Sequence, residues 1–190
     1  ERGLLAINDP AYVSRAEIIR EKGTNRSAFF RGEIDKYGWV DIGSSFLPSD
    51  IVSAYLYAQL EVLDLIQARR LAIWNRYRGQ LTSEVERFGA ELPKIPPWAT
   101  NNAHAFYLVC ESLEQRTALI GALRKAGIHA VFHYQSLHDS PYFKPRHNGR
   151  PLPNSDRFSN CLVRLPLYYE LTDEQCDLIC DEILKALRST

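Results

Sequence analysis

A chain of 190 residues, 45% hydrophobic and 24% charged, is long enough to bury one good core and falls in the range of one or two small domains. Its 23 basic side chains balance its 23 acidic ones, so no overall field favours a polyanion, and nucleic acid is not an expected partner. The apolar runs fall far short of the ~20 residues that cross a bilayer, and no signal-like segment opens the chain, so a soluble, cytoplasmic protein without a membrane partner is expected.

The chain holds no methionine, so residue 1 is not a translation start and the sequence reads as beginning within a longer protein. It opens "ERGLLAIND", where Leu4, Leu5 and Ile7 before Asn8-Asp9-Pro10 predict a strand running into a turn. "AYVSRAEIIREKG" then predicts a helix of about three turns over 11–23, closed by Gly23. Residues 24–48 show neither period, yet their five aromatics argue against disorder, so a functional loop is expected. Ser49 and Asp50 supply a cap and a first-turn acid for one long helix to Arg78, on the order of 45 Å at 1.5 Å per residue. "ELPKIPPWAT" follows with three prolines, the strongest boundary signal in the chain.

From about residue 100 the pattern is strand, helix, strand, loop, strand, helix. "HAFYLVCES", "IHAVFHY" and "NCLVRLPLY" are the strands. Ser112 with Gln115 and Thr172 with Gln175 read as capping boxes for helices over 113–126 and from 173 onward. Cys110, Cys161, Cys176 and Cys180 contain no C-x-x-C and are read as buried free thiols suited to a reducing compartment.

Three of five histidines, His129, His133 and His138, fall within ten residues. On a strand, His129 and His133 share a face but stand roughly 13 Å apart, too far for one ion with bonds of about 2 Å. His133 and His138 can converge across the loop with Asp139, but no metal is expected. Ser44 and Ser45, ahead of a helix N-terminus, place hydroxyls and amides where a phosphate can sit, although a serine there is also simply a common cap. No G-x-S-x-G elbow is present.

"AEIIREKGTNRSAFFRGEIDKYGWVDIGSSFLPSDIVSAYLYAQLE", "NNAHAFYLV", "FHYQSLHDSPYF" and "RLPLYYELTDEQ" together resemble the pyridoxal-phosphate-dependent nucleotide-sugar aminotransferases, over nearly the whole chain and in order. "EKGTNR" and "DIGSS" are most similar to the dTDP-4-amino-4,6-dideoxygalactose transaminase branch. The resemblance implies an α/β chain, the C-terminal half of a fold-type I enzyme: residues 1–48 as the three-layer remnant of the large domain with an active-site loop, 49–99 as interdomain helix and linker, and 100–190 as a small α+β domain. It further implies a homodimer that moves an amino group from glutamate, through pyridoxal phosphate (PLP), to the 4-keto carbon of a dTDP-linked 6-deoxyhexose.

Family members hold PLP as a Schiff base on a lysine upstream of the opening strand, and none of Lys22, Lys36, Lys94, Lys125, Lys144 and Lys185 falls in that motif. The chain alone is therefore expected to lack transaminase activity, with no catalytic residue assigned in it. Where the family commonly has "G-Y-N-Y-R" reaching the partner's PLP phosphate, this sequence has Gly43-Ser44-Ser45-Phe46-Leu47, so Ser44 and Ser45 are the expected cofactor contacts. By the same resemblance, Asn25, Arg26 and Arg31 lie near the active-site mouth, where guanidinium groups suit a diphosphate, or else pair with Glu33 or Asp35. His133, Tyr134 and His138 match the family's "HY-x-x-LH" turn at the substrate pocket. A PLP-dependent keto-sugar dehydratase on the same scaffold and a non-catalytic dimerisation or binding module remain the alternatives. Association or strand exchange between chains through residues 1–80 is expected to cover the apolar surface of the opening strand and first helix.

Overall fold

A computed structural model describes residues 3–189; the chain divides into two compact units, Glu1–Leu63 and Asp64–Thr190. In the first unit the expected opening strand does not form. Residues 3–7 take no regular structure and pair with nothing among the described residues, and Leu4 and Leu5 stand 66% and 75% exposed. An apolar alternation specifies a strand only when a neighbour supplies the ladder, and the described residues of the unit offer none. The Asp9 carboxylate accepts from the Ala11 amide at 2.9 Å, starting a single 3-10 turn over Pro10–Tyr12 that runs into α1 (Val13–Arg20).

α1 stops three residues short of Gly23. Lys22 and Gly23 both adopt positive φ, and the Gly23 amide wraps back to the Ile18 carbonyl at 2.8 Å. Glycine is required at this turn because a Cβ there would lie 1.8 Å from the Asp41 carbonyl oxygen. The loop of 24–48 holds a short helix, α2 (Arg26–Phe30), and folds back on α1 through isolated antiparallel bridges Glu21–Ser45 and Thr24–Trp39. Ser49 caps α3 (Asp50–Glu61), its hydroxyl accepting from the Val52 amide. The single helix expected from Ser49 to Arg78 is instead two: Val62 leaves helical geometry (φ −113°, ψ 19°), and α4 (Leu63–Val85) begins after it. α3 buries no residue, whereas α4 buries Ile73, Trp74, Tyr77, Leu81 and Val85 at helical spacing. The apolar pattern runs through the break because it records hydrophobicity, and backbone continuity is a separate property.

The second unit is a three-stranded antiparallel sheet of order β1-β3-β2, with β1 at Tyr107–Val109, β2 at Val131–Phe132 and β3 at Leu162–Arg164. Its register sets Tyr107 and Val131 opposite Arg164, and Leu108 and Phe132 opposite Val163. α5 (Leu113–Lys125) links β1 to β2, α6 (Pro153–Cys161) precedes β3, and α7 (Asp173–Arg188) closes the unit. Leu108 and Val163 join one core with the buried faces of α4, α5 and α7. The strands are shorter than their apolar patterns, and "IHAVFHY" pairs only at Val131 and Phe132 because β2 is an edge strand with one neighbour.

Of the two expected capping boxes one closes: Thr172 and Gln175 make it in full, whereas Ser112 caps α5 by accepting from the Gln115 amide and the Gln115 side chain accepts from the Glu111 amide, one residue before the cap. Arg69 and Arg76 of α4 pair with Asp173 and Asp177 of α7 at 2.6–3.1 Å, and Tyr77 donates to the Pro166 carbonyl at 2.9 Å. All four cysteines are buried free thiols, and desolvation pushes Cys110 and Cys180 up to about 12.

Candidate functional site

Each unit carries its own share of the candidate residues. In the first, Asn25 is held from both ends: its amide donates to the Gly38 carbonyl, and its Oδ1 accepts from the Gly38 amide at 2.9 Å. That tie closes the loop across α2. Arg26 lies over the rings of Phe30 and Tyr37, 5.1 and 5.7 Å from their centroids, with one terminal nitrogen 3.3 Å from Glu21. Glu21 also bridges Ser45 through its backbone, so this one residue connects Arg26 to the serine turn. Arg31 is committed further. It pairs with Glu17 at 2.9 and 3.0 Å and with Glu33 at 2.6 and 3.2 Å, and these bonds raise its pKa while holding the Glu33 carboxyl below the usual range.

Ser44 and Ser45 are exposed, with their backbone fixed and, among the described residues, no side-chain hydrogen bond of their own. Gly43 makes the turn tight, since a Cβ there would meet the Gly23 amide nitrogen at 2.2 Å. The two hydroxyls are therefore free to donate to an outside oxygen, which is what a phosphate contact needs. The residues fit that part of a PLP site. A Schiff-base lysine is a different matter, because an amine becomes nucleophilic near neutral pH only when desolvated or crowded by another cation, and all six lysines are exposed. The unit also has an open apolar hollow of about 880 Å³ along Leu4, Leu5, Tyr12, Ile19, Phe46 and Leu56, which contains no histidine or cysteine.

In the second unit, His133 and Tyr134 leave β2 with ring centroids 4.8 Å apart and planes tilted at 56°, both exposed. They border a hollow of about 210 Å³ closed on its far side by Ser155, Phe158 and Ser159 of α6. Ser136 is buried beneath it, its amide donating to Ser159 Oγ at 3.1 Å and its hydroxyl 3.0 Å from Ser155 Oγ. His138 Nε2 is 3.0 Å from Asp156 Oδ1, and its ring lies 5.1 Å from that of His147. Donor atoms of His138, Asp139 and Asp156 lie within 4.8 Å of one another, with Lys144 paired to Asp139 at 3.4 Å. His133, considered with His138 and Asp139 in the sequence, is not in that group. His129 is not in the strand at all.

α6 is the part of this site that periodicity missed. Its signal was present as Pro153 at the first helical position and Asp156 in the first turn, behind a stretch dominated by Gly and Pro.

The DegT/DnrJ/EryC1/StrS aminotransferase family model matches residues 1–184. The chain belongs to this family. Among solved structures, an aminotransferase TlmJ from Streptoalloteichus hindustanus matches at TM-score 0.78 and 21% identity over 96% of this chain and 47% of its own. Helicobacter pylori PseC, an aminotransferase involved in the biosynthesis of pseudoaminic acid, matches at 0.77 and 20% over 96% and 48%. NtdA from Bacillus subtilis, solved with bound cofactor PMP, matches at 0.79 and 17% over 96% and 41%. The chain thus has the fold of part of a fold-type I aminotransferase and spans about half the length of these structures. The family, with PLP and PMP forms among the neighbours, points to pyridoxal phosphate as the cofactor. Among the described residues no helix is long and apolar enough to cross a membrane.

Proposed function

We propose that this chain is the C-terminal part of a PLP-dependent sugar-nucleotide aminotransferase that transfers an amino group from glutamate to the 4-keto carbon of a dTDP-4-keto-6-deoxyhexose. The observation that carries the reading is the DegT/DnrJ/EryC1/StrS match across residues 1–184. When bound, PLP supplies the electron sink and amino-group carrier. The chain's own residues contribute binding. Ser44 and Ser45 donate to a phosphate, each a neutral hydrogen bond of about 1 kcal/mol net. Asn25 holds the loop in which Arg26 and Arg31 sit, and His133, Tyr134 and His138 border the sugar nucleotide.

For Arg31 to grip a diphosphate it must exchange Glu17 and Glu33 for phosphate oxygens; such an exchange favours a substrate with two negative groups over a neutral sugar. Residues 1–48 are taken as the remnant of the large domain, 49–99 as the linking segment and 100–190 as the small domain. A second copy of the chain is the expected partner at the phosphate.

The purified 190-residue chain, supplied with PLP, glutamate and the keto-sugar nucleotide, is expected to show no turnover. Borohydride treatment should add no pyridoxyl mass to any of its six lysines. A longer polypeptide that adds a Schiff-base lysine before residue 1 should transaminate this substrate. Failure of that polypeptide to do so would refute the substrate assignment, and turnover by the short chain would refute its dependence on a further lysine.

A further inference from the structure

One oxygen in the second unit lacks what a buried polar atom needs. Asp156 Oδ1 is cut off from solvent and has no hydrogen-bond partner among the described residues. His138 Nε2 is only 3.0 Å away, but the contact is not aligned as a hydrogen bond, so the oxygen lies off the direction of a ring N–H. A carboxylate oxygen left in this way costs free energy unless something of opposite charge reaches it. Asp156 stands in the first turn of α6, whereas His138 and Asp139 come from the 3-10 turn Leu137–Asp139. Asp156 is what the sequence could not add to the other two.

The spacing suits a metal ion. One donor atom each from His138, Asp139 and Asp156 lies within 4.8 Å of the other two. Two ligands at right angles on bonds of about 2.1 Å stand about 3.0 Å apart, which is the separation of His138 Nε2 and Asp156 Oδ1. Two carboxylates supply the charge. Against them stand the positive end of α6 and Lys144, whose exposed ammonium is 3.4 Å from Asp139 and competes weakly. Arg146 is turned away onto the Tyr142 ring, 4.1 Å from its centroid. The His147 ring lies 5.1 Å from that of His138, and its Nε2 is 2.9 Å from the Arg150 carbonyl. That carbonyl can only accept, so in the neutral ring Nδ1 carries the lone pair, and an imidazole anchored on a carbonyl in this manner is the usual state of a metal-bound histidine.

We propose that His138, Asp139 and Asp156 form a site for a divalent metal ion of the zinc or manganese type, its remaining positions open to water or to His147. One imidazole with two carboxylates is a donor set for these ions; it lacks the soft sulfur that copper(I) and iron–sulfur clusters select. The site neither draws on the aminotransferase reading nor supplies a step of that reaction. Its work is to tie the turn of Leu137–Asp139 to α6, the helix that closes the hollow beside His133 and Tyr134, and so to fix that wall.

The test takes the full 190-residue chain, stripped of metal by a chelator, and titrates it with zinc chloride in one arm and manganese chloride in the other, by calorimetry. One ion is expected to bind per chain, and the bound ion should raise the thermal midpoint. Asp156→Asn, shown folded by circular dichroism, is expected to weaken binding about tenfold or more and to abolish the rise in midpoint. Asp139→Asn, on the exposed turn, serves the same purpose should Asp156→Asn not fold. His129→Gln removes an exposed histidine outside the cluster and should leave both readouts unchanged. Three results would each overturn the site: saturable binding of neither ion, binding by the aspartate variants equal to wild type, or binding lost in His129→Gln, which would mean an adventitious ion on a surface histidine.

Discussion

Asp177 shows how far a single side chain can be read. It was an unremarked acid on the final helix, and the structure makes it the acceptor of two bonds from Arg76 at 2.6 Å and one from Gln80. Arg76, followed by Gln80, holds its carboxyl down at about 2 against an ordinary 3.8. The folded state thus binds this proton less readily than the unfolded chain. Its contribution to stability is complete above the unfolded value and drains away as pH falls through about 2. Asp177→Asn should lower the urea midpoint near neutral pH, and its gap from wild type should close between about pH 4 and pH 2. A gap that stays constant over that range would mean the charge on Asp177 is not what matters. The histidines show the opposite limit. Sequence geometry disfavoured a shared ion for His129 and His133, but it could not supply Asp156, the partner His138 meets, because that residue arrives from a helix eighteen positions on.

At the scale of elements, the signals that held were those with a local mechanism. Thr172 and Gln175 satisfy each other's backbone groups within one turn, so their spacing alone fixes where α7 begins. Thr172→Ala should cost about 1 kcal/mol, seen as a lower urea midpoint at unchanged slope; no change in the midpoint would show that tertiary packing alone sets the helix start. The signals that failed needed a partner. "LLAIND" alternates correctly for a strand and stays unpaired, and "IHAVFHY" yields two paired residues from seven. The long helix was legible as helix but not as two helices. Val62 breaks it where no Pro or Gly marks the place, so the break is a product of context.

For the molecule as a whole, the two units differ in kind. Every buried hydrophobic among the described residues, from Ile73 to Leu187, belongs to the second unit. Of its described residues the first buries Gly23 and Thr24 only, and it leaves Trp39, Ile42 and Ile51 at least 83% exposed. Burial is what offsets chain entropy, so the second unit has the means to be stable and the first depends on something that covers it. Leu81→Ala is expected to cost about 2–5 kcal/mol, and Ile51→Ala less than about 0.5 kcal/mol in dilute solution, both by urea denaturation. A large, concentration-dependent cost for Ile51→Ala would instead identify a second copy as that cover, the association expected through residues 1–80.

By itself, the sequence determined the capped starts of α3, α5 and α7, the family and the likeness of its motifs to sugar-nucleotide aminotransferases, because caps, turns and ordered motif residues act over a few positions and keep their identity outside the fold. Only the tertiary structure decided which strands pair, that α6 closes the His133–Tyr134 hollow, and that Arg31 is taken by Glu17 and Glu33. These depend on residues distant in the chain meeting at ångström range, and Coulomb and hydrogen-bond energies are fixed by that distance, which periodicity and composition do not encode.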